Sequence, residues 1–261
     1  MRSLRVFFIG GLISYRALFG WLSPWVYIPS LVVAPLFQIL LFVYIGRSAK
    51  LQSDEFYVIG NALQYAAIPC LFAMTHTIAG ERYQQTLGYI LVTPAKRLPL
   101  FLGRALPVVA NGFFVSAFAL VVGGAIVGMH VSASAYAPIA LVTAVSAFSC
   151  TGLGLVNAGL GFIVRETATL SNIIFGILLV FSGANLAVDD LPGWLQPISK
   201  GIPFTHGIAA ARRLADGSSF ASVAGLVGTE ALIGLIYGAL GYSLIRITEV
   251  VSRRRATLER A

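Results

Sequence analysis

Hydrophobic positions fall into six long stretches, 25–45, 56–79, 105–129, 136–164, 167–188 and 220–245, with short polar segments between them. A helix needs about 20 apolar residues to cross a bilayer core, and each stretch meets that length. The pattern therefore predicts an all-α membrane protein of six transmembrane helices. A soluble fold has no interior that could hide six such runs. Neither an internal repeat nor a Pro- or Ser-rich linker divides the chain, so residues 1–261 are expected to form one transmembrane domain. Ahead of the first span, Arg2, Arg5 and Arg16 alternate with Leu4, Phe7, Phe8, Leu12, Phe19 and Trp21. That suits an amphipathic helix lying in the headgroup layer; the plainer alternative is a frayed lead-in to the first span. Arg16 interrupts any signal core and no A-x-A site follows, so the segment is expected to be retained.

The polar segments set the orientation. Once six spans are drawn, 13 of the 18 basic residues lie on one side: Arg2, Arg5, Arg16, Arg82, Lys96, Arg97, Arg104, Arg165, Arg246, Arg253, Arg254, Arg255 and Arg260. Short cytoplasmic segments keep Lys and Arg, so this side, with both termini, is assigned to the cytoplasm. Arg47, Lys50, Lys200, Arg212 and Arg213 fall outside. Composition agrees with the span pattern: 57% hydrophobic and 11% charged residues are not those of a soluble domain. The net charge of +8 comes from residues flanking apolar spans, so no nucleic-acid partner is implied. The cluster at 252–260 reads as a stop-transfer and headgroup anchor.

Candidate chemistry is sparse. Cys70 and Cys150 both sit inside spans and read as small packing residues, while His76, His130 and His206 have no metal-ligand spacing. The chain lacks a G-x-x-x-x-G-K-[ST] loop and any large cytoplasmic domain, so it is not expected to hydrolyse ATP or bind a cofactor itself. Glu230 is the one acid deep within a span, which makes it a functional candidate and supports a proton-coupled secondary transporter as the second reading. One carboxylate with no basic or His relay in its span also fits a hydrogen-bonded packing element. Gln38, Asn61, Gln64, Asn111, Asn157 and Asn172 are isolated intramembrane polar groups. They would suit an amphipathic or lipophilic cargo, or they bridge helices.

Two loops carry content, 80–104 inside and 189–217 outside. In the first, Tyr83, Leu87, Ile90 and Leu91 follow i, i+4, i+7 and i+8 and line one face of a short helix, with Arg82, Gln85, Thr86 and Thr93 elsewhere. Pro94 ends it by biasing Thr93 away from the α region. Such a stripe docks into a groove of a soluble partner or rests on lipid, and periodicity does not separate the two.

The string Glu81-Arg82-Tyr83-Gln84-Gln85-Thr86-Leu87-Gly88-Tyr89-Ile90-Leu91-Val92-Thr93-Pro94 resembles the E-R-x-x-G-T-L-x-x-L-x-x-[ST]-P signature of ABC type-2 export permeases, with Gln85 where the pattern has Gly. A second match lies in the outer loop. There Leu191, Pro192, Trp194, Leu195, Pro197, Pro203, Thr205 and Arg213 are similar to the family's L-P-x-W-L … P-x-T … R pattern. The resemblance implies that Glu81, Arg82, Tyr83, Thr86, Leu87, Ile90, Leu91, Thr93 and Pro94 form a coupling helix between spans two and three. A cleft of an ATP-binding cassette subunit would receive it, with two such subunits binding the ATP and Mg. It further implies a second permease as dimer partner, location in the bacterial cytoplasmic membrane, and short re-entrant helices between spans five and six acting as an extracellular gate. The implied cargo is a hydrophobic or amphipathic molecule such as a drug or antibiotic; a lipid-linked glycan is the alternative. A non-transporting membrane scaffold shares the topology but needs no ATPase partner.

Overall fold

Why the apolar runs become helices, and where those helices break, follows largely from proline and glycine. A computed structural model describes residues 25, 28–76, 97–161, 164 and 166–255. The first helix, α1 (Ile28–Ala49), begins with a widened π-helical turn over Ile28–Val33 and becomes regular from Ala34. Pro35 has no N–H to return to the carbonyl four residues back, so the regular ladder starts only past it. Lys50 ends the helix in the left-handed region (φ 54°), donating its N–H to the Gly46 carbonyl. Ser53 then caps α2 (Asp54–His76), its Oγ accepting from the Phe56 N–H at 3.3 Å. Across this turn the Arg47 guanidinium forks onto Asp54 at 2.7 Å. Both side chains are substantially exposed and screened by water, so the pair adds little stability and mainly shapes the turn.

A second π-helical stretch, Ile68–Ala73, interrupts α2. Pro69 lies at its start and removes the N–H that would bond Tyr65. The remaining elements are α3 (Arg97–Val127), a 3₁₀ turn over Ala133–Ala135, α4 (Tyr136–Leu160), α5 (Thr167–Phe181), a 3₁₀ turn over Val188–Asp190, α6 (Gln196–Lys200), α7 (Thr205–Ala215) and α8 (Phe220–Arg255). No strand occurs among the described residues.

Packing is radial. Buried residues make up 83% of the most apolar window of α2, against 22% for α1 and 17% for α8, so α2 is the axis and the other two lie outside it. Val58, Ala62, Leu63, Ala66, Ala67 and Cys70 build the centre of the core. The longest contact joins α4 to α8, and glycines let the two backbones meet. A Cβ on Gly234 would stand 2.7 Å from the Ser149 Cα, and one on Gly241 would stand 2.6 Å from the Val156 nitrogen. On the outer faces, Phe37, Leu41, Leu235, Ile236 and Leu240 are exposed, a surface suited to hydrocarbon rather than water.

Among the described residues, five helices are long and apolar enough to cross a membrane, against the six expected. The difference lies in the fifth run, where the helix covers Thr167–Phe181 instead of 167–188. At 15 residues it is about 22 Å long, short of the roughly 30 Å of a bilayer core. Gly183, in the left-handed region at φ 82°, turns the chain away. Elsewhere the helices overrun the apolar limits. Helix α1 continues through Arg47, α3 starts at Arg97 and α8 runs to Arg255, because charge ends a hydropathy window without ending a hydrogen-bond ladder. Residues 97–104 of the 80–104 insert are therefore the opening turns of α3. The proposed N-terminal interfacial helix lies outside the described residues.

Candidate functional site

Two groups of buried polar side chains stand at opposite ends of the bundle. At the end opposite the 80–104 insert, α7 is held by a clasp that no local sequence rule supplies. Its N-cap residue, Phe204, takes the left-handed region (φ 76°) and offers no side-chain acceptor. The cap comes instead from α8: Glu230 Oε1 accepts the Phe204 N–H at 2.8 Å and Oε2 accepts the Gly207 N–H at 3.1 Å. These are the N-cap and N3 amides, so one carboxylate supplies both the hydrogen bonds and the negative charge that a helix start favours. Gly207 packs so closely on Ser146 of α4 that no Cβ fits there.

The other end of α7 grips in the reverse sense. Arg212 donates to the Gly183 carbonyl at 2.9 Å, the Ala184 carbonyl at 3.1 Å and the Phe56 carbonyl at 2.9 Å. Its guanidinium also lies 3.4 Å above the Phe56 ring. A cation thereby satisfies the carbonyls left where α5 stops. Burial pushes the Arg212 guanidinium down to about 9, with Asp216 opposing the shift, and it stays cationic at neutral pH.

Beside this clasp runs a ladder of amides. Gln38 of α1 donates to both Asn61 Oδ1 and Gln64 Oε1 at 3.0 Å, and Asn61 passes a hydrogen bond to Asn185 at 2.8 Å. Asn185 in turn donates to the Leu179 carbonyl at 3.3 Å. Three of the intramembrane candidates thus meet, and they join α1, α2 and the break after α5.

At the insert end, the buried Asn157 of α4 donates to Thr75 Oγ1 at 2.8 Å and to Ser171 Oγ at 2.7 Å. Asn172 joins neither group; it is exposed and bonds the Ala168 carbonyl of its own helix. Asn111 is buried on α3.

The residues assigned to an extracellular gate divide by burial. Leu191, Pro203 and Thr205 are buried, and Thr205 Oγ1 donates to the Ser199 carbonyl at 2.8 Å. Leu195 is half-buried, whereas Pro192, Pro197 and Trp194 are exposed, Trp194 by 72%. The prolines divide this stretch into the short helices expected of it, Pro197 falling in the first turn of α6. Arg213, which matched the family pattern, is exposed; its neighbour Arg212 makes the contacts. Asn185, Thr75, Ser171 and Arg212 are the polar residues that sequence reasoning passed over. Thr and Ser on apolar helices carry no hydropathy signal, and in sequence Arg212 is one more charge in a polar loop. The coupling residues Glu81, Arg82, Tyr83, Thr86, Leu87, Ile90, Leu91, Thr93 and Pro94 lie outside the described residues.

Among the described residues, no cluster of His, Cys, Asp and Glu could hold a metal ion. Both cysteines are free and buried.

Among the described residues, a helical bundle with five membrane-length apolar helices and buried amides between them defines a multi-pass membrane protein. The family profile described as "ABC-2 type transporter" matches residues 11–214, most of the chain, and the chain belongs to that family. It is thus a transmembrane permease component rather than a nucleotide-binding domain, of a family whose permeases work with an ATP-binding subunit. No curated protein matches it.

Proposed function

We propose that this chain is the membrane-spanning subunit of an ATP-driven exporter, pairing with a second permease and with two ATP-binding subunits that supply all the ATP chemistry. The observation that carries this reading is the family match over residues 11–214, a range that includes the 80–104 insert and its E-R-x-x-x-T-L string. ATP-driven closure of the partner subunits presses on residues 81–93, and the spans respond by opening towards the far side. The cargo is hydrophobic or amphipathic, in keeping with an interior whose polar side chains are mostly amides and hydroxyls bonded to one another, the charges of Glu230 and Arg212 being engaged by backbone groups. The membrane is the cytoplasmic membrane of a bacterium.

The surroundings of Glu230 favour this reading over proton coupling. Both carboxylate oxygens accept backbone N–H groups. A relay carboxylate shares a proton with a titratable side chain, and His206, whose charge reaches Glu230, bonds the Lys200 carbonyl instead. The test uses cells expressing the chain with its ATP-binding subunit and loaded with a lipophilic dye. Efflux is expected to stop on ATP depletion and to persist when a protonophore collapses the proton gradient; the reverse outcome overturns the proposal.

A further inference from the structure

The Asn157 junction lies where a force arriving at the insert would first meet the bundle. Thr75 is the penultimate described residue of α2 before the chain leaves for the insert, and Ser171 is in the second turn of α5. A single amide on α4 therefore joins α2, α4 and α5.

Four observations make this more than a packing contact. First, the hydrogen bonds have a fixed direction. Thr75 Oγ1 donates to the Leu71 carbonyl at 2.8 Å and Ser171 Oγ to the Thr167 carbonyl at 3.0 Å, so each hydroxyl can only accept from Asn157. Second, the Leu71 carbonyl belongs to the π-helical stretch Ile68–Ala73, so the last turn of α2 hangs from a widened turn of the kind that allows bending. Third, Gly154 brings α4 flush against that stretch; a Cβ there would stand 2.5 Å from the Cys70 carbonyl oxygen. Fourth, Asn157 Oδ1 is buried and accepts no hydrogen bond among the described residues. A buried acceptor left open is costly, and it offers either hydroxyl a second partner once the helices shift.

Helix α5 is the element best placed to respond. Only Ser171 and Leu178 are buried along its length, so Asn157 holds one of its two anchor points. On the reading of ATP-driven transport given above, we infer that Asn157 is a positioning residue that passes movement of the last turn of α2 to α5.

The experiment uses spin labels in the full permease bound to its ATP-binding subunit, with Cys70 and Cys150 replaced by alanine. One label at His76→Cys or Asn172→Cys is paired with a reference label at Ser243→Cys on α8, all three positions being exposed. In the parent, both distances shift when the complex is trapped with ATP and vanadate. In Asn157→Leu and Thr75→Val the His76 distance still shifts and the Asn172 distance does not, while Thr75→Ser, which keeps the hydroxyl, behaves as the parent. ATP-driven dye efflux falls about fivefold in the two broken variants, the scale expected for residues on a coupling route. Should Asn157→Leu fail to fold, Thr75→Val, which keeps the side-chain shape, carries the comparison alone. An Asn172 label that still follows His76 in the variants overturns this inference and leaves the transport reading standing. A parent in which neither label moves overturns both.

Discussion

A carboxylate within a membrane helix is expensive unless something nearby repays its burial, and for Glu230 the repayment is the start of another helix. The cost was legible in the sequence, because Glu230 stands out among apolar neighbours. The partners were not. They are main-chain amides 26 and 23 residues away, and they converge only because Phe204 adopts a left-handed backbone and Gly207 lacks a side chain. Glu230→Ala would strip both buried N–H groups of their acceptor, at about 1–3 kcal/mol each. Glu230→Gln keeps one acceptor oxygen but turns its NH2 towards the other N–H and loses the charge that favours the helix start, so its cost should be smaller, about 1–3 kcal/mol. Thermal unfolding of the purified chain in detergent should therefore rank wild type above Gln and Gln above Ala. Equal stability of the Ala variant and wild type would remove the capping role. Arg212 repeats the lesson with opposite charge: a position beside the motif residue Arg213 does the structural work, and only the turn after α5 shows it.

At the scale of elements, the contact between α4 and α8 depends on which glycines face the neighbouring backbone. Gly234 and Gly241 leave no room for a Cβ, whereas a Cβ on Gly238 would meet nothing within 4 Å. Gly238→Ala should therefore be neutral or stabilising by up to about 1 kcal/mol through helix propensity. Gly241→Ala should destabilise by about 1–3 kcal/mol through overpacking against Leu155 and Val156. Thermal stability of the two variants side by side checks the assignment, and a destabilised Gly238→Ala would contradict it. Hydropathy located every long helix, since a run of apolar residues in lipid leaves the backbone no other way to satisfy its hydrogen bonds. It misjudged the ends. Arg97 and the turns beyond Ile245 are helical despite their charge, and residues 182–187 lie within the fifth apolar run without being helical. The short α5 was illegible for the same reason: Gly183 ends it by backbone conformation, which a hydropathy window does not register. The amides Gln38, Asn61, Gln64 and Asn157 were visible as residues, but their grouping into two junctions at opposite ends depends on helix register.

For the whole molecule, the described core is closed by helices on either side of the 80–104 insert, with α2 leading into it and α3 leading out. The bundle should therefore tolerate polar substitutions on the insert's apolar stripe. The complex with an ATP-binding subunit should not, because in a helix-in-groove contact the stripe carries the affinity. Removing two leucines from such a contact costs about 2–5 kcal/mol each. Replacing Leu87 and Leu91 together by Asn should thus weaken binding of the ATP-binding subunit by about a thousandfold or more and abolish its co-purification, since each 1.4 kcal/mol is a factor of ten. Membrane levels and unfolding temperature of the permease should stay at wild-type values. Glu81→Gln keeps the stripe, so it should retain the complex and lower dye efflux per ATP hydrolysed. These outcomes divide the possible roles of the insert. A stripe that merely rests on lipid would leave co-purification unchanged in the double variant, and a scaffold that needs no ATPase would show no complex in wild type. Loss of the complex with the bundle intact places the entry of ATP energy on the face formed by Tyr83, Leu87, Ile90 and Leu91.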